Sequence, residues 1–215
     1  MAPENQAPIA KEGYLFIGIG FAVTAFCLFF FGRASAIFPA LLTVFCLWFF
    51  RDPKRKVPQE EGLVVSPGDG KVVDISRVEE ERFLNKPAIK ISIFLNVFNV
   101  HVNRVPVSCK LIDVSYNPGR FFPANVPKAS LENEQNALVL ETLSGKRIVC
   151  IQIAGLIARR IVCWVKMGDQ LQRGERFGLI RFGSRVDLFL PPETDIRIKK
   201  GDQVVGGETV VGFLK

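Results

Sequence analysis

The sequence is short of the residues that hold metals and disulfides. It contains one histidine, His101, and five cysteines, and no two cysteines have CxxC spacing. Because a structural zinc site needs several His or Cys ligands, we expect no metal centre. The odd cysteine number and irregular spacing also argue against a disulfide framework and favour a reducing compartment.

Base-stacking aromatics are also scarce, since two Tyr and two Trp accompany nineteen Phe. A surface that binds single-stranded nucleic acid usually interleaves such aromatics with basic residues. The net charge of +7 therefore does not by itself indicate nucleic-acid binding, and we expect no such partner. Hydrophobic residues make up 48% of the 215 residues, a composition that excludes disorder.

Charge is almost absent from residues 13–50, where Arg33 is the one charged residue. As a helix, the 20 residues before Arg33 could cross a hydrocarbon core of roughly 30 Å, whereas the 17 after it reach only about 26 Å. A turn at Gly32–Ser35 separates the two stretches. The pattern predicts a hydrophobic helical hairpin that either spans the membrane twice or dips into one leaflet, with a buried hairpin of a soluble core as the alternative.

Basic residues flank this hairpin at both ends: Lys11 before it, and Arg51, Lys54, Arg55 and Lys56 after it. The positive-inside rule then places the N-terminus and the following domain on the cytoplasmic face of the cell membrane. The same cluster can attract anionic headgroups. We therefore divide the chain into a polar N-terminus (1–12), the membrane hairpin (13–50), a basic juxtamembrane linker (51–61) and a folded domain (62–215).

The folded domain is predicted to be mainly β. Short runs rich in Val and Ile alternate with Gly, Pro and Asn, a pattern typical of a sandwich or barrel. The predicted strands are Leu63–Ser66, Lys71–Ile75, Ile89–Phe94, Lys110–Ser115, Ala137–Glu141, Arg147–Ile153, Ile161–Lys166 and Val186–Leu190. A helix is expected at Ala129–Asn136 and a shorter one at Val97–Val100. The lack of alternating long helices disfavours a doubly wound nucleotide-binding fold.

An internal repeat occupies the C-terminal third. Lys166–Gln170 followed by Gly174-Glu175 recurs 33 residues later as Lys199–Gln203 followed by Gly207-Glu208. This pattern resembles the duplicated lipoyl-type hairpins of barrel-sandwich hybrid domains. A carrier-type lysine in such a turn is missing from the sequence, so a swinging-arm carrier is disfavoured.

Three polar residues are candidates for chemistry. Ser184 follows Gly183 between the two repeats, Asp69 lies in the tight turn Ser66–Gly70, and His101 follows an apolar strand. A serine hydroxyl near neutral pH needs a base, and an imidazole oriented by a carboxylate is the usual one. Taken singly, each residue has an ordinary structural explanation, as a turn or core residue.

Together, the motifs around these residues resemble the short form of the phosphatidylserine decarboxylase family. The similar segments are Phe49–Pro53 with Arg55, Ser66–Gly70, His101–Pro106, Asn117–Ala124, Glu132–Asn136 and Phe182–Ser184. Each motif alone is weak, but their order along the chain is specific. The likeness runs from Phe49 to the C-terminus.

The resemblance implies an enzyme that makes a covalent pyruvoyl cofactor from Ser184. The Ser184 Oγ would attack the Gly183 carbonyl, and cleavage would give a β chain (1–183) and an α chain (184–215). A Schiff base between the pyruvoyl ketone and the substrate amine would accept the electrons released with CO2. Phosphatidylserine in the membrane would become phosphatidylethanolamine.

The resemblance also implies roles for His101 and Asp69. His101 is expected to protonate the substrate Cα, because an imidazole titrates near neutral pH. Long forms of the family carry a second histidine, paired with the residue matching Asp69, and Arg104 stands in its place here. Either His101 serves both maturation and decarboxylation, or maturation relies on Asp69, strain and a bound water.

Substrate contacts are predicted for three arginines and one aromatic residue, namely Arg104, Arg120, Arg185 and Phe122. The arginines could hold the phosphate or carboxylate, and each could equally be a surface charge. A homodimer is left open. The alternative function is a membrane-anchored barrel-sandwich adaptor or scaffold, in which Gly183-Ser184 has no chemistry.

Overall fold

The computed structural model describes residues 7–119, 133–155, 160–181 and 184–215, and it divides into two units, Met1–Lys54 and Arg55–Lys215. The first contains a short 3-10 turn (Lys11–Gly13) and the helices α1 (Tyr14–Phe31) and α2 (Arg33–Phe49). The division between the units falls inside the predicted linker of residues 51–61.

Fourteen strands are present among the described residues of the second unit, which confirms the mainly β prediction. They are β1 (Leu63–Val65), β2 (Gly70–Glu80), β3 (Lys86–Leu95), β4 (Val102–Arg104), β5 (Cys109–Asn117), β6 (Gln135–Thr142), β7 (Arg147–Ala154), β8 (Ile161–Cys163), β9 (Gln170–Leu171), β10 (Arg176–Ile180), β11 (Ser184–Leu190), β12 (Asp195–Ile196), β13 (Gln203–Val204) and β14 (Val210–Phe213).

The two helices form the predicted hairpin, and a single residue, Gly32, connects them. Its φ of 84° lies in the left-handed region, which favours glycine. The Ser35 hydroxyl lies 2.7 Å from the Gly32 carbonyl oxygen and 3.0 Å from that of Cys27, so it ties the start of α2 to the end of α1. Gly20 of α1 lies against Thr43 of α2, where a larger residue would clash.

One helical stretch among the described residues, Lys11–Phe31, is long and apolar enough to cross a membrane by length and composition. At 17 residues, α2 is shorter, although it continues through Pro39 instead of ending there. Large apolar side chains are exposed along both helices, including Leu15, Phe29 and Phe38.

The strands form three antiparallel sheets that share the main apolar cluster. The large sheet has the order β13-β2-β3-β11-β7-β6-β5-β9, and two small sheets have the orders β1-β14-β12 and β4-β10-β8. Side chains from all three sheets contribute to the main apolar cluster, for example Val64, Ile91, Phe177, Leu188 and Val211. Because β11 stands between β3 and β7 in this order, it lies near the middle of the large sheet.

The whole β domain is an internal duplication, and its repeat is larger than the sequence indicated. The continuous segment β4–β10 forms one half, and β1–β3 together with β11–β14 form the other. Each half supplies one small sheet and four strands of the large sheet, and the halves meet where β11 pairs with β7. A matching bulge interrupts β2 between Val72 and Asp74 and β5 between Leu111 and Asp113.

The sequence repeat at the C-terminus corresponds to equivalent turns at the two edges of the large sheet. Gly168 and Gly201 have φ values of 96° and 102°. The Asp169 Oδ2 accepts from the Lys166 backbone N–H at 2.9 Å, and the Asp202 Oδ2 accepts from that of Lys199 at 3.0 Å. After these turns, β9 pairs with β5 and β13 pairs with β2. The predicted repeat is therefore confirmed as two equivalent turn-and-strand units, whose strands pair with β5 and β2 and not with the strands that follow them in the chain.

The predicted helix at Ala129–Asn136 is wrong in its described part. Asn133 makes a β-bridge, and Gln135 and Asn136 begin β6; residues 129–132 lie outside the described residues. The side chains of Gln135 and Asn136 are buried, so pairing with β5 and β7 outweighs the helical propensity of the segment. Residues 97–100 contain a turn, not a helix.

The duplication predicts equal effects of equivalent substitutions. Asp169→Ala and Asp202→Ala each remove one turn hydrogen bond and should each cost about 1 kcal/mol, or about 2–4 °C in melting temperature. The double variant should show the sum, because the turns lie at opposite edges of the sheet. Thermal unfolding in detergent measures this. Asp195→Ala is the control, because it removes only an exposed ion pair with Arg197 and should change the melting temperature little. Clearly unequal decreases in melting temperature for Asp169→Ala and Asp202→Ala would contradict the equivalence of the two turns.

Candidate active site

Ser184 is the first residue of β11 and lies opposite Leu95 of β3 and Ala154 of β7. Because side chains alternate along a strand, its hydroxyl points to the same face as Val186 and Leu188, into the main core. The side chain is 0% exposed, and its Oγ has no hydrogen-bond partner among the described residues. Burying a hydroxyl without a hydrogen bond lowers the stability of the fold by about 1–3 kcal/mol. Such an unsatisfied group in a native protein calls for an explanation, and a functional role is one.

His101 lies directly before β4 and is completely buried. Its backbone carbonyl accepts from the Ile180 N–H at 3.3 Å, four residues before Ser184. The ring Nδ1 lies 3.0 Å from the Asn99 carbonyl oxygen. Since a carbonyl can only accept, Nδ1 carries the hydrogen, and the neutral ring has its lone pair on Nε2.

Asp69 is held by Arg55. One guanidinium nitrogen, Nη2, lies 2.9 Å from both carboxylate oxygens, and the Gly206 backbone N–H donates to Oδ1 at 2.8 Å. The Arg55 and Asp69 side chains are 8% and 14% exposed. Arg55, predicted to belong to the headgroup-binding cluster, is instead used inside the β domain.

A row of buried amides was missed in the sequence. The Asn136 Nδ2 donates to the Gln152 Oε1 at 3.0 Å, and the Gln152 Nε2 donates to the Asn103 Oδ1 at 2.8 Å. All three side chains are almost completely buried. Gly178 provides room for this row, because a Cβ there would lie 2.9 Å from the Gln152 Nε2. The sequence alone gives no clear signal for this row, because the strand register is needed to show that Asn136 and Gln152 occupy inward positions.

The structure brings the turn of Asp69, strand β4 and the start of β11 to one region. A Cβ on Gly68 would lie 3.3 Å from the Asn103 Nδ2 and 3.4 Å from the Leu95 Cδ2. Leu95 is the ladder partner of Ser184, and Asn103 follows His101 by two residues. The turn, the segment containing the histidine and the serine are therefore neighbours across the end of the large sheet.

Two of the three arginines predicted to bind substrate make contacts within the protein. Arg104 is buried, and its Nη1 donates to the Gly174 carbonyl at 3.0 Å. Arg185 points to the face opposite to the Ser184 hydroxyl and forms a buried ion pair with Asp187 at 2.9 Å. Burial raises the pKa of Asp187, and the Arg185 charge opposes this shift. Gly183, Arg120 and Phe122 lie outside the described residues.

The buried Ser184 and the segment that contains the buried His101 lie at one end of a duplicated, barrel-sandwich-like β domain, and they form the candidate active site of an enzyme. The profile of the family described as Phosphatidylserine decarboxylase matches residues 42–212. The match begins in α2 and reaches β14, so it includes the site just described.

Several full-length relatives are named "Phosphatidylserine decarboxylase proenzyme". One from Syntrophus aciditrophicus (strain SB) is 53% identical over 97% of this chain and 99% of the relative. Another, from Syntrophotalea carbinolica, is 50% identical over the full length of both, and one from Desulfotalea psychrophila is 46% identical over 98% of this chain and 99% of the relative. This chain belongs to the phosphatidylserine decarboxylase family, as the sequence resemblance predicted.

The Arg55–Asp69 pair should be important for stability. Arg55→Met leaves a mostly buried carboxylate without its cation, which should cost about 3 kcal/mol, or about 6–12 °C in melting temperature. Arg147→Met is the matched control, because Arg147 pairs with Glu141 at 3.6 Å on the surface and its loss should cost under about 1 kcal/mol. Equal melting temperatures for the two variants would show that the buried pair stabilises the fold no more than the surface pair does.

Proposed function

We propose that this chain decarboxylates phosphatidylserine to phosphatidylethanolamine and CO2, with a pyruvoyl group made by cleavage between Gly183 and Ser184. The observation that carries this proposal is the buried Ser184 hydroxyl without a partner among the described residues. It occurs in a chain whose relatives are named proenzymes of this decarboxylase.

The position of Ser184 suits cleavage of the backbone before it. β11 begins at this residue and pairs with β3 along all seven of its residues and with β7 along six. A break before residue 184 therefore leaves every one of these ladders intact. The α chain (184–215) stays bound without a disulfide, because β13 and β14 also pair with strands of the β chain.

The pyruvoyl group would supply a ketone that takes the substrate amine and accepts the electron pair released with CO2. The protein must supply proton transfer, and His101 is our candidate. Its Nδ1–H donates to the Asn99 carbonyl, which leaves the lone pair of the neutral ring on Nε2. With Asp69 held by Arg55, we favour the alternative in which His101 serves both maturation and decarboxylation.

The helical unit is proposed to hold the enzyme at its lipid substrate. The exposed apolar side chains of α1 and α2 suit a hydrocarbon surface. The basic residues around the hairpin favour the cytoplasmic face of the membrane. Arg55 is not counted among the residues that would attract headgroups, since its side chain is paired with Asp69.

Self-cleavage separates this function from that of an adaptor. The purified wild-type chain should give two bands on a denaturing gel, the smaller one being residues 184–215, and Ser184→Ala should give one. Ser92→Ala is the control, because it removes another buried serine hydroxyl, on β3, that bonds to Asp187. A Ser184→Ala protein that still splits would refute the assignment, and an uncut wild-type chain would favour the adaptor.

His101→Ala should slow both steps, each by about 10²–10⁴-fold, since general acid–base catalysis contributes that much. Splitting is followed on gels, and decarboxylation is followed as CO2 release from phosphatidylserine in detergent micelles. Added imidazole should restore part of the splitting. Normal splitting without decarboxylation would remove His101 from maturation, and normal rates of both would remove it from the mechanism.

A further inference from the structure

The buried amide row has a direction. Asn136 donates to the Gln152 oxygen, and Gln152 donates to the Asn103 oxygen, so both hydrogen bonds run from Asn136 towards Asn103. The last group of the row is the Asn103 Nδ2. This buried nitrogen has no hydrogen-bond partner among the described residues, although an amide NH2 carries two donors.

The row lies beside Ser184. Gln152 is the ladder partner of Val186, and Ser184 is two residues from Val186 on the same face of β11. Asn103 reaches from β4 to Gln152, and its Nδ2 lies at Gly68, which also adjoins Leu95, the ladder partner of Ser184. The end of the amide row and the serine hydroxyl thus belong to the same buried region.

Two unsatisfied polar groups therefore occur together. The Asn103 Nδ2 is a donor without an acceptor, and the Ser184 Oγ is an oxygen without a donor, each in terms of the described residues. Buried polar groups in native proteins are almost always hydrogen-bonded. An unpaired donor in the same buried region as an unpaired nucleophile suits a negative charge that appears on the nucleophile during a reaction.

Building on the self-cleavage proposed above, we propose that Asn103 is a catalytic residue of maturation. Its Nδ2–H donates to the Ser184 Oγ while this oxygen is negatively charged. Gln152 and Asn136 are positioning residues. Gln152 holds the Asn103 Oδ1 and thereby turns its NH2 group away from the row, and Asn136 in turn holds the Gln152 Oε1. A neutral amide suits this role, since it stabilises an anion without competing for the proton.

The chemistry gives Oγ negative charge twice. In the first step a base removes the Ser184 hydroxyl proton, Oγ bonds to the preceding carbonyl carbon, and the C–N bond breaks with protonation of nitrogen, leaving an ester and an amine. In the second step a base removes the α-proton of residue 184, its electron pair forms the Cα–Cβ double bond, and the Cβ–Oγ bond breaks with the pair on Oγ, now part of a carboxylate. Neither step needs an oxidant or reductant.

The test is the rate of self-cleavage of the full chain, followed on denaturing gels after synthesis. Asn103→Leu removes the donor and keeps the side-chain volume, and it should slow splitting about 10- to 100-fold, as expected for one hydrogen bond to a charged oxygen. Asn103→Asp keeps an oxygen for Gln152 but replaces the NH2 group by an acceptor, so it should slow splitting at least as much. Hydroxylamine, which cleaves esters, reveals whether the first or the second step is slowed.

Gln135→Leu is the matched control. It removes another buried amide from β6, next to Asn136 but on the opposite face of the strand, where Gln135 accepts from Arg82. It should split within about threefold of wild type, an expectation set by its distance from Oγ on the sheet. Thermal unfolding of all variants shows whether each is folded.

The outcomes separate this inference from the proposed function. If the wild-type chain splits, and Asn103→Leu and Asn103→Asp split at the same rate as the wild type, the role of Asn103 is overturned and the proposed function still stands. Equal slowing in Gln135→Leu and Asn103→Asp would also overturn it, because the effect would then be structural. A wild-type chain that never splits would instead refute the proposed function.

Discussion

The pairing of β11 with two neighbours is the constraint on which the rest of the structure depends. This strand is held on both sides, by β3 and β7, and Ser184 is its first residue. The two ladders fix the backbone of residue 184 with a precision that a loop could not give. They also explain how the domain could stay folded after cleavage. The cut would lie just before the first residue of a central strand, and not within a ladder.

The internal duplication places this strand at the meeting point of two equivalent halves. The main apolar cluster draws side chains from both halves, and the region where the halves meet also contains polar groups. Here the core contains Ser184, His101 and the amide row, all nearly inaccessible. The apolar surroundings strengthen every hydrogen bond in this region, and they make each unsatisfied group costly. Two buried polar groups without a partner among the described residues lie where chemistry is proposed, while the edges of the sheet are closed by ordinary turns.

Much of the fold could be predicted from the sequence, because β-branched runs and Gly-Asp turns report local structure directly. The eight predicted strands and the repeated turns are all present. The amide row could not be predicted, because Asn136 and Gln152 look like surface residues until the register shows which face they occupy. The Arg55–Asp69 pair was missed for a related reason, since a basic residue after an apolar hairpin reads as a headgroup ligand. The helix predicted at Ala129–Asn136 failed because buried pairing outweighed propensity in its described part.

The central claim is covalent, so the intact mass of the purified protein tests it most directly. Our account predicts two masses, one for residues 1–183 and one for residues 184–215 that is lower than the serine-started peptide by the mass of one ammonia. A single mass for the unbroken chain, or a small fragment that retains an unmodified serine at its start, would contradict it.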